Sequence, residues 1–594
     1  MMSRTPWPPT STRSSPTTAC LRVRTACPCS EEPTKINRCL QNGRCSRAQQ
    51  PVAMKAEPSN GDTERTSPSD QTDRSLFFNW DSPSTMLDPY QHLSTQILHF
   101  LCPPGTATQT AGLNAHLSPA NTKDFIEKYT HFHVHFSFLH IPTFRILDAY
   151  TGLLASMCCI GACYSHRLSP DQVRDMTNLL QAALERDTEL LTGGLHADPK
   201  SGTAIDKVQL EKLQALTLLI ILLTWNGTPS QREDGGRFFP HVAEAARQLG
   251  LLRVSSGPYL RSVLHQPDFS LQNVRPEYDF DWVTWVEQER RIRLMYMIYL
   301  TDVAEGLYFN AAPRFDSLEL HIPLPADDAA WEAHTPTECA EALHLYGSDA
   351  AKIRNPDGSQ RSKQPELDLA LRALFHESYQ IHPGSTNLYG KFILIHGLLA
   401  QIRRAHAEGN LVSLNGFSTP LSHNDWVFKP GSEPPSAAGS ANNSGRATPV
   451  SGLGQGISPQ AYKSIYTALD KFKSNWDMDM AIQFPPSIQN HRRYGFSRDG
   501  IHYFWLAKYI VKNTRPGDLH LPSDHRFMQV IQLIKSVKAW VMSDGAQRGE
   551  ELGSMGQIDN DFGSHDLTLN MPSLFKPLPE VVDSPGMAVV KTEM

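Results

Sequence analysis

The sequence predicts an all-α fold: a multi-helix body, interrupted by a low-complexity loop and flanked by disordered N- and C-terminal tails. Three observations carry this. Apolar residues recur at helical spacing through 91–408 and again through 459–545. The apolar–polar alternation that marks half-buried strands is almost absent. Stretches rich in Ser, Thr, Pro and Gly, without apolar periodicity, fill 1–90, 409–458 and 546–594.

Taken in order, residues 1–90 read as a disordered arm. Its first fifty residues hold Arg4, Arg13, Arg22, Arg24, Lys35, Arg38, Arg44 and Arg47 against only Glu31 and Glu32, so it is positive. The opening "MMSRTPWPPTSTRSSPTTAC" has no apolar core and does not read as a secretory signal. In the body, "LQALTLLIILLTW" (213–225) falls short of the ~20 residues a membrane span needs, and reads as a buried helix. "RFFPHVAEAARQLGLLR" (237–253) puts Phe238, Phe239, Val242, Ala246 and Leu249 on one helical face, with Gly250 at its C-cap. "WVEQERRIRLMYMIYLTD" (285–302) mixes arginines with aromatics, as nucleic-acid readers often do. Yet Trp285, Ile292, Met295, Tyr296, Tyr299 and Val303 form an apolar stripe, and Leu294 to Leu300 is apolar on every side. The segment therefore reads as a core helix, with Arg290, Arg291 and Arg293 on a charged rim beside Glu287 and Glu289. "GSEPPSAAGSANNSGRATPVSGLGQG" (431–456) is a flexible excursion, entered after "WVFKPGSEPPS", which marks an exit from the fold. The helices of 459–545 are expected to pack on the main body, because "IHYFWLAKYI" needs a surface to bury against.

The totals narrow the class. A chain of 594 residues, 40% hydrophobic and 20% charged, fits a globular protein with polar appendages. A net charge of −6 gives no global field toward DNA or membrane, so nucleic-acid contact would need a local patch. The ten cysteines follow no disulfide framework, which favours a reducing compartment. These readings together predict a soluble, intracellular protein.

Candidate sites are few. His131, His133 and His135 alternate, with His140 close behind; on an extended segment they could hold a metal, but a helix entering from Phe125, Ile126 and Tyr129 would scatter them. Cys158, Cys159 and Cys163 sit in apolar "LLASMCCIGACYS", where thiols are inert and small residues permit close helix contact. "GLGQG" (452–456) has no preceding strand and does not read as a phosphate loop. No Gly-x-Ser-x-Gly elbow and no His-Glu-x-x-His helix occurs, so catalysis has no foothold and an α-helical enzyme is the minor alternative. "MKAE" and "VKTE" place Lys55 and Lys591 in the pattern that sumoylation reads. "LFFNWDSPS" (76–84) sets aromatics beside an acid, as a segment folding onto a coactivator groove would.

Five segments in order, 125–145, 153–165, 213–227, 238–253 and 285–333, resemble the fungal-specific transcription factor domain, the middle homology region of fungal zinc-finger regulators. The resemblance is most specific over 120–345. It continues loosely through "LYGKFILIHGLLAQIRRA" and "RRYGFSRDGIHYFWLAKYI", which are similar to the C-terminal half of the two-Cys-two-His subgroup. It implies a nuclear regulator of RNA polymerase II transcription, not an enzyme, with 91–408 as an all-α regulatory domain acting by self-association or by sensing a small ligand. DNA would be held by a separate N-terminal zinc module. Implied partners are DNA, coactivator or corepressor proteins and a second copy of the chain, with no membrane. The N-terminus departs from that pattern. A binuclear cluster takes six thiolates, including Cys-x-x-Cys pairs. Only Cys20, Cys27, Cys29, Cys39 and Cys45 are present, Cys27 and Cys29 are one residue too close, and no histidine precedes His92. Zinc is therefore expected only with a complete N-terminal module. Without one, the arm would touch DNA weakly through phosphates, or the chain would act as a cofactor without DNA binding of its own.

Overall fold

The computed structural model describes residues 88–542, except 104–109, 188–206, 256–260, 267–268, 273, 356–358, 377–378, 410–425, 429–456, 484–495, 499 and 515. The expected tails and most of the low-complexity loop thus lie outside the described residues. What is described is all-α, apart from one small ribbon.

Helix starts follow local capping chemistry. Asp88, Ser118, Thr228 and Thr335 each accept a backbone N–H of the first turn, and each is followed by proline, whose missing donor costs nothing there. They open α1 (Pro89–Leu101), α3 (Pro119–His133), α7 (Pro229–Gln248) and α11 (Pro336–Ala342), with the short α2 (Thr110–His116) between the first two. α4 (Thr151–Cys163), α5 (Pro170–Asp187) and α6 (Lys207–Asn226) complete the first layer. At the end of α7, Leu249 is the C-cap, one residue before the predicted Gly250, which follows in the left-handed region at φ +65. Phe239, Val242, Ala246 and Leu249 are buried as predicted; Phe238 only packs at the edge of the core.

α4 and α3 meet closely because the sequence puts Gly161 at the crossing. A Cβ there would lie 1.8 Å from the carbonyl oxygen of Phe125. On the other side of α4, Ser156 Oγ donates to the α6 carbonyl of Ala215 at 3.3 Å. α6 has twenty residues, longer than its apolar run, and is long and apolar enough to cross a membrane; 83% of its apolar window is buried inside the fold. It is the hub of the first layer, packed against α4, α5 and α7.

After α8 (Pro276–Asp279), α9 (Trp282–Phe309) runs through two cores. Trp285 and Val286 join a small core with Trp331, Cys339 and Leu343, from α10 (Asp328–Trp331), α11 and the turn after it. From Ile292 to Phe309, α9 belongs to the main core. The charged rim expected at its first half is reduced to one pair, Arg290 with the half-exposed Glu287 at 3.1 Å. Arg290, Arg291 and Arg293 are all buried, Arg293 completely. The helix keeps Arg291 and Arg293 because each finds an internal partner. Arg293 pairs with Glu289 at 2.8 Å and donates to Ser137 and to the Ala326 carbonyl. Arg291 donates to the Leu249 carbonyl at 2.7 Å. α12 (Ser348–Arg354) and α13 (Leu367–Phe375) follow, then β1 (Tyr379–Ile381), which pairs antiparallel with β2 (Trp426–Phe428). β2 falls inside the segment read as a linker, so the chain returns once to the fold at "WVF".

α14 (Leu388–Glu408) is capped by Asn387 and ends on Gly409 at φ +75. α15 (Pro459–Gln483) packs on α13 and α14, α16 (Ile501–Asn513) on α14 and α15, and α17 (Ser523–Met542) on α9 and α16. Buried ion pairs fix this seam. Lys391 and Asp479, both about 2% exposed or less on their side chains, meet at 2.6 Å, and Arg498 pairs with Asp328 at 2.8 Å. Isolated charges would be expensive in such surroundings, and pairing offsets that cost while fixing the register of the helices.

Candidate functional site

The positions singled out in the sequence do not assemble into a metal or catalytic centre among the described residues. α3 runs to His133, so the histidines part as a helix requires. His131 stacks on Tyr164 with ring centroids 5.6 Å apart, and His133 Nε2 meets the Leu139 carbonyl at 2.9 Å. The His135 carbonyl accepts a hydrogen bond from Ser497 Oγ, which ties α3 to the C-terminal region. His140 Nδ1 meets Thr143 Oγ1 at 2.8 Å while its ring sits 4.7 Å from that of Trp331. Burial, and then the nearby Arg293 and Arg290, push its pKa down to about 3. Cys158, Cys159 and Cys163 line α4; burial raises all three thiols, Cys163 to about 12, so thiolate chemistry is suppressed. His321, Glu366 and Asp368 place one ligand atom each within 4.8 Å of one another, but His321 Nδ1 already meets Asp368 at 3.2 Å and Arg372 stands 3.8 Å from it. The N-terminal cysteines, Lys55, 76–84, 452–456 and Lys591 lie outside the described residues.

Two cavities instead flank the last turns of α9. The first, about 430 Å³ with its mouth, lies against α3, α6, α14 and α16. Its walls are Phe132, Phe136, Trp225, Met297, Phe392 and Tyr503, with His396, Thr301 and Tyr308 as the polar members. Tyr308 and Tyr503 hydroxyls are 3.3 Å apart, and burial raises both phenols. His396 Nδ1 donates to the Phe392 carbonyl at 2.8 Å, one turn back. Burial lowers the His396 pKa to about 4, so its ring is neutral at physiological pH.

The second is a cleft of about 610 Å³ with its mouth, on the opposite side of α9, closed by α14, α16, α17 and the turn at Pro516–His520. Asp302, Gly306 and Leu307 of α9 face Leu399, Arg403 and His406 of α14, with Ile510 and Arg526 from α16 and α17. Arg403 donates to the carbonyls of Ala311 and Asn310, and Arg526 to those of Leu307 and, through a side chain, Gln529. Burial lowers both guanidinium pKa values, and Arg526 lowers that of Arg403 further. Asp302 is engaged by the backbone N–H groups of Arg314 and Phe315, each at 3.0 Å; desolvation still raises its pKa. The sequence reading passed over these residues. The signal was present, because Leu399, Arg403 and His406 recur at i, i+4 and i+7 on one face of a helix that is largely buried up to its last turn.

Known proteins resemble part of this chain. Residues 128–381 match the fungal specific transcription factor domain. Similar curated proteins are the transcription factor verF of Penicillium polonicum, 26% identical over 39% of this chain and 30% of its own; the zinc finger protein zas1 of Schizosaccharomyces pombe, 27% identical over 45% and 26%; and the nicotinate catabolism cluster-specific transcription factor of Emericella nidulans, 22% identical over 46% and 27%. The chain thus spans about a third or less of the length of these relatives. No solved structure matches it at a significant level.

Proposed function

We propose, from the premise that residues 128–381 are a fungal specific transcription factor domain, that the chain regulates RNA polymerase II transcription in the nucleus. In this reading the helical body is the regulatory part and not an enzyme, and contact with DNA belongs elsewhere in the protein. The domain match carries the reading, and the burial of the arginines of α9 supports its division of labour. Arg290, Arg291 and Arg293 of α9 are committed inside the fold and present no basic face to a groove.

A second reading, a regulator that reaches DNA only through partners, is favoured by the thiols upstream. Five cysteines with Cys27 and Cys29 separated by one residue do not fit a binuclear zinc cluster, which takes six at longer spacing. No step is therefore assigned to zinc. Coactivators, corepressors or a second copy of the chain are the partners this reading requires.

The test tethers the full chain to a reporter promoter through a foreign DNA-binding module. Expression should change at least severalfold in either direction; a folded, nuclear fusion that leaves the reporter unchanged would sink the regulatory reading. Gel shifts of the untethered chain on random duplex then separate the two routes. Binding that weakens steeply with salt supports direct contact through the arm, and no shift at low salt supports recruitment.

A further inference from the structure

We propose that the cleft between α9, α14, α16 and α17 binds a small organic anion, a carboxylate carried on an apolar body. This goes beyond the regulatory reading, and it rests on what the cleft holds and what it lacks. Two guanidiniums line it, and among the described residues neither has a carboxylate within 4 Å. Arg403 and Arg526 are close enough for one to depress the other. Each spends two hydrogen bonds on neutral protein oxygens, out of the five donors a guanidinium carries. Paired cations in a partly desolvated site are costly, and an anion placed between them would offset the repulsion and take the remaining donors.

The acids nearby leave that role open. Asp302 is held by two backbone N–H groups, and burial leaves the pKa values of Arg526 and His406 lowered despite the charge of Asp518. His406 Nε2, which lines the cleft, is buried without a hydrogen-bond partner. The rest of the wall is apolar, with Leu307, Phe315, Leu399 and Ile510. The cleft is narrow inside and open to solvent at its mouth, which suits a small molecule whose apolar body lies along the open wall. An inorganic anion would leave the apolar wall uncovered; a neutral hydrocarbon would leave the two cations unpaired.

The geometry also shows how the pair is kept in place. Gly306 has no side chain where a Cβ would stand 2.7 Å from Arg403 Nη1. Any larger residue would push that flexible head out of position without removing its charge. A ligand here would touch α9 and α14 on one side and α16 and α17 on the other, so occupancy would strengthen the docking of the C-terminal helices.

Calorimetric titration of the full chain with decanoate, decanol and inorganic phosphate tests the proposal. Decanoate should bind one per chain, with decanol and phosphate each weaker by about tenfold or more. R403Q, R526Q and G306A should each weaken decanoate by about tenfold and leave decanol unchanged. G306A keeps every charge, so it serves where an arginine variant loses its helical circular dichroism. Equal affinity for decanoate and decanol, phosphate as tight as decanoate, or decanoate binding that survives in all folded variants would overturn the proposal. The titration reads no transcription, so its failure leaves the regulatory reading standing.

Discussion

Arg293 shows how much a single buried charge commits a helix. Its guanidinium holds Glu289, Ser137 and the Ala326 carbonyl and lies 4.6 Å above the Trp331 ring, where the two cores of α9 meet. R293M would strand Glu289 in the interior, a loss of about 3–5 kcal/mol in urea unfolding. A loss under about 1 kcal/mol would mean that the pair adds nothing to the fold. The sequence reading placed this arginine on a rim because spacing cannot tell a snorkelling cation from one with an internal partner 156 residues earlier. His396 and His140 both carry pH dependence, and His396 shows its sign. An unfolded imidazole takes its proton near 6.5, while the buried one resists until about 4. Stability present at neutral pH therefore falls as the pH drops from 6.5 to 4, by about 2–4 kcal/mol from this group. His396→Asn should flatten the curve of unfolding free energy over that window by a similar amount. Parallel curves for the two proteins would show that His396 is protonated in the fold.

Elements follow from how closely the sequence lets them approach. α3 and α4 touch at Gly161, so G161A should separate them and cost about 1–3 kcal/mol or more; an unchanged melting temperature would mean the crossing is not as tight as it stands here. Helix content was legible because period and capping agree: Thr228 with Gln231 forms a capping box, and Pro229 opens the helix behind it. The buried helix at 213–225 was legible too, from its apolar character on every side. The short ribbon of β1 and β2 was not. Three residues of strand carry no measurable alternation, and their partners are 45 to 49 positions apart in sequence, from Ile381↔Trp426 to Tyr379↔Phe428. The cleft was equally hidden, since it exists only where Gly306, Arg403 and Arg526 are brought together by packing.

At the scale of the molecule, the stretch that matches the fungal specific transcription factor domain does not close its own core. Its longest helix, α9, is walled by α14 and α17, which lie beyond residue 381. The structural unit runs past the domain match: α14 to α17 share the main core, and polar contacts also cross the seam. Asn310 donates to the carbonyls of Asp518 and Leu521, Arg498 pairs with Asp328, and Lys391 with Asp479. Removing 459–594 should therefore expose Tyr308, Phe392 and Trp225 and yield an aggregating chain in size-exclusion chromatography; a monomeric, fully helical product would show that the C-terminal helices are an accessory. Native-state hydrogen exchange of the full chain tests the shared core most directly. Amides of α9 (285–309) and α16 (501–511) should exchange slowly and together, opening only in global unfolding. If α16 and α17 exchanged orders of magnitude faster while α9 stayed protected, the two would be separate units and the account would fail.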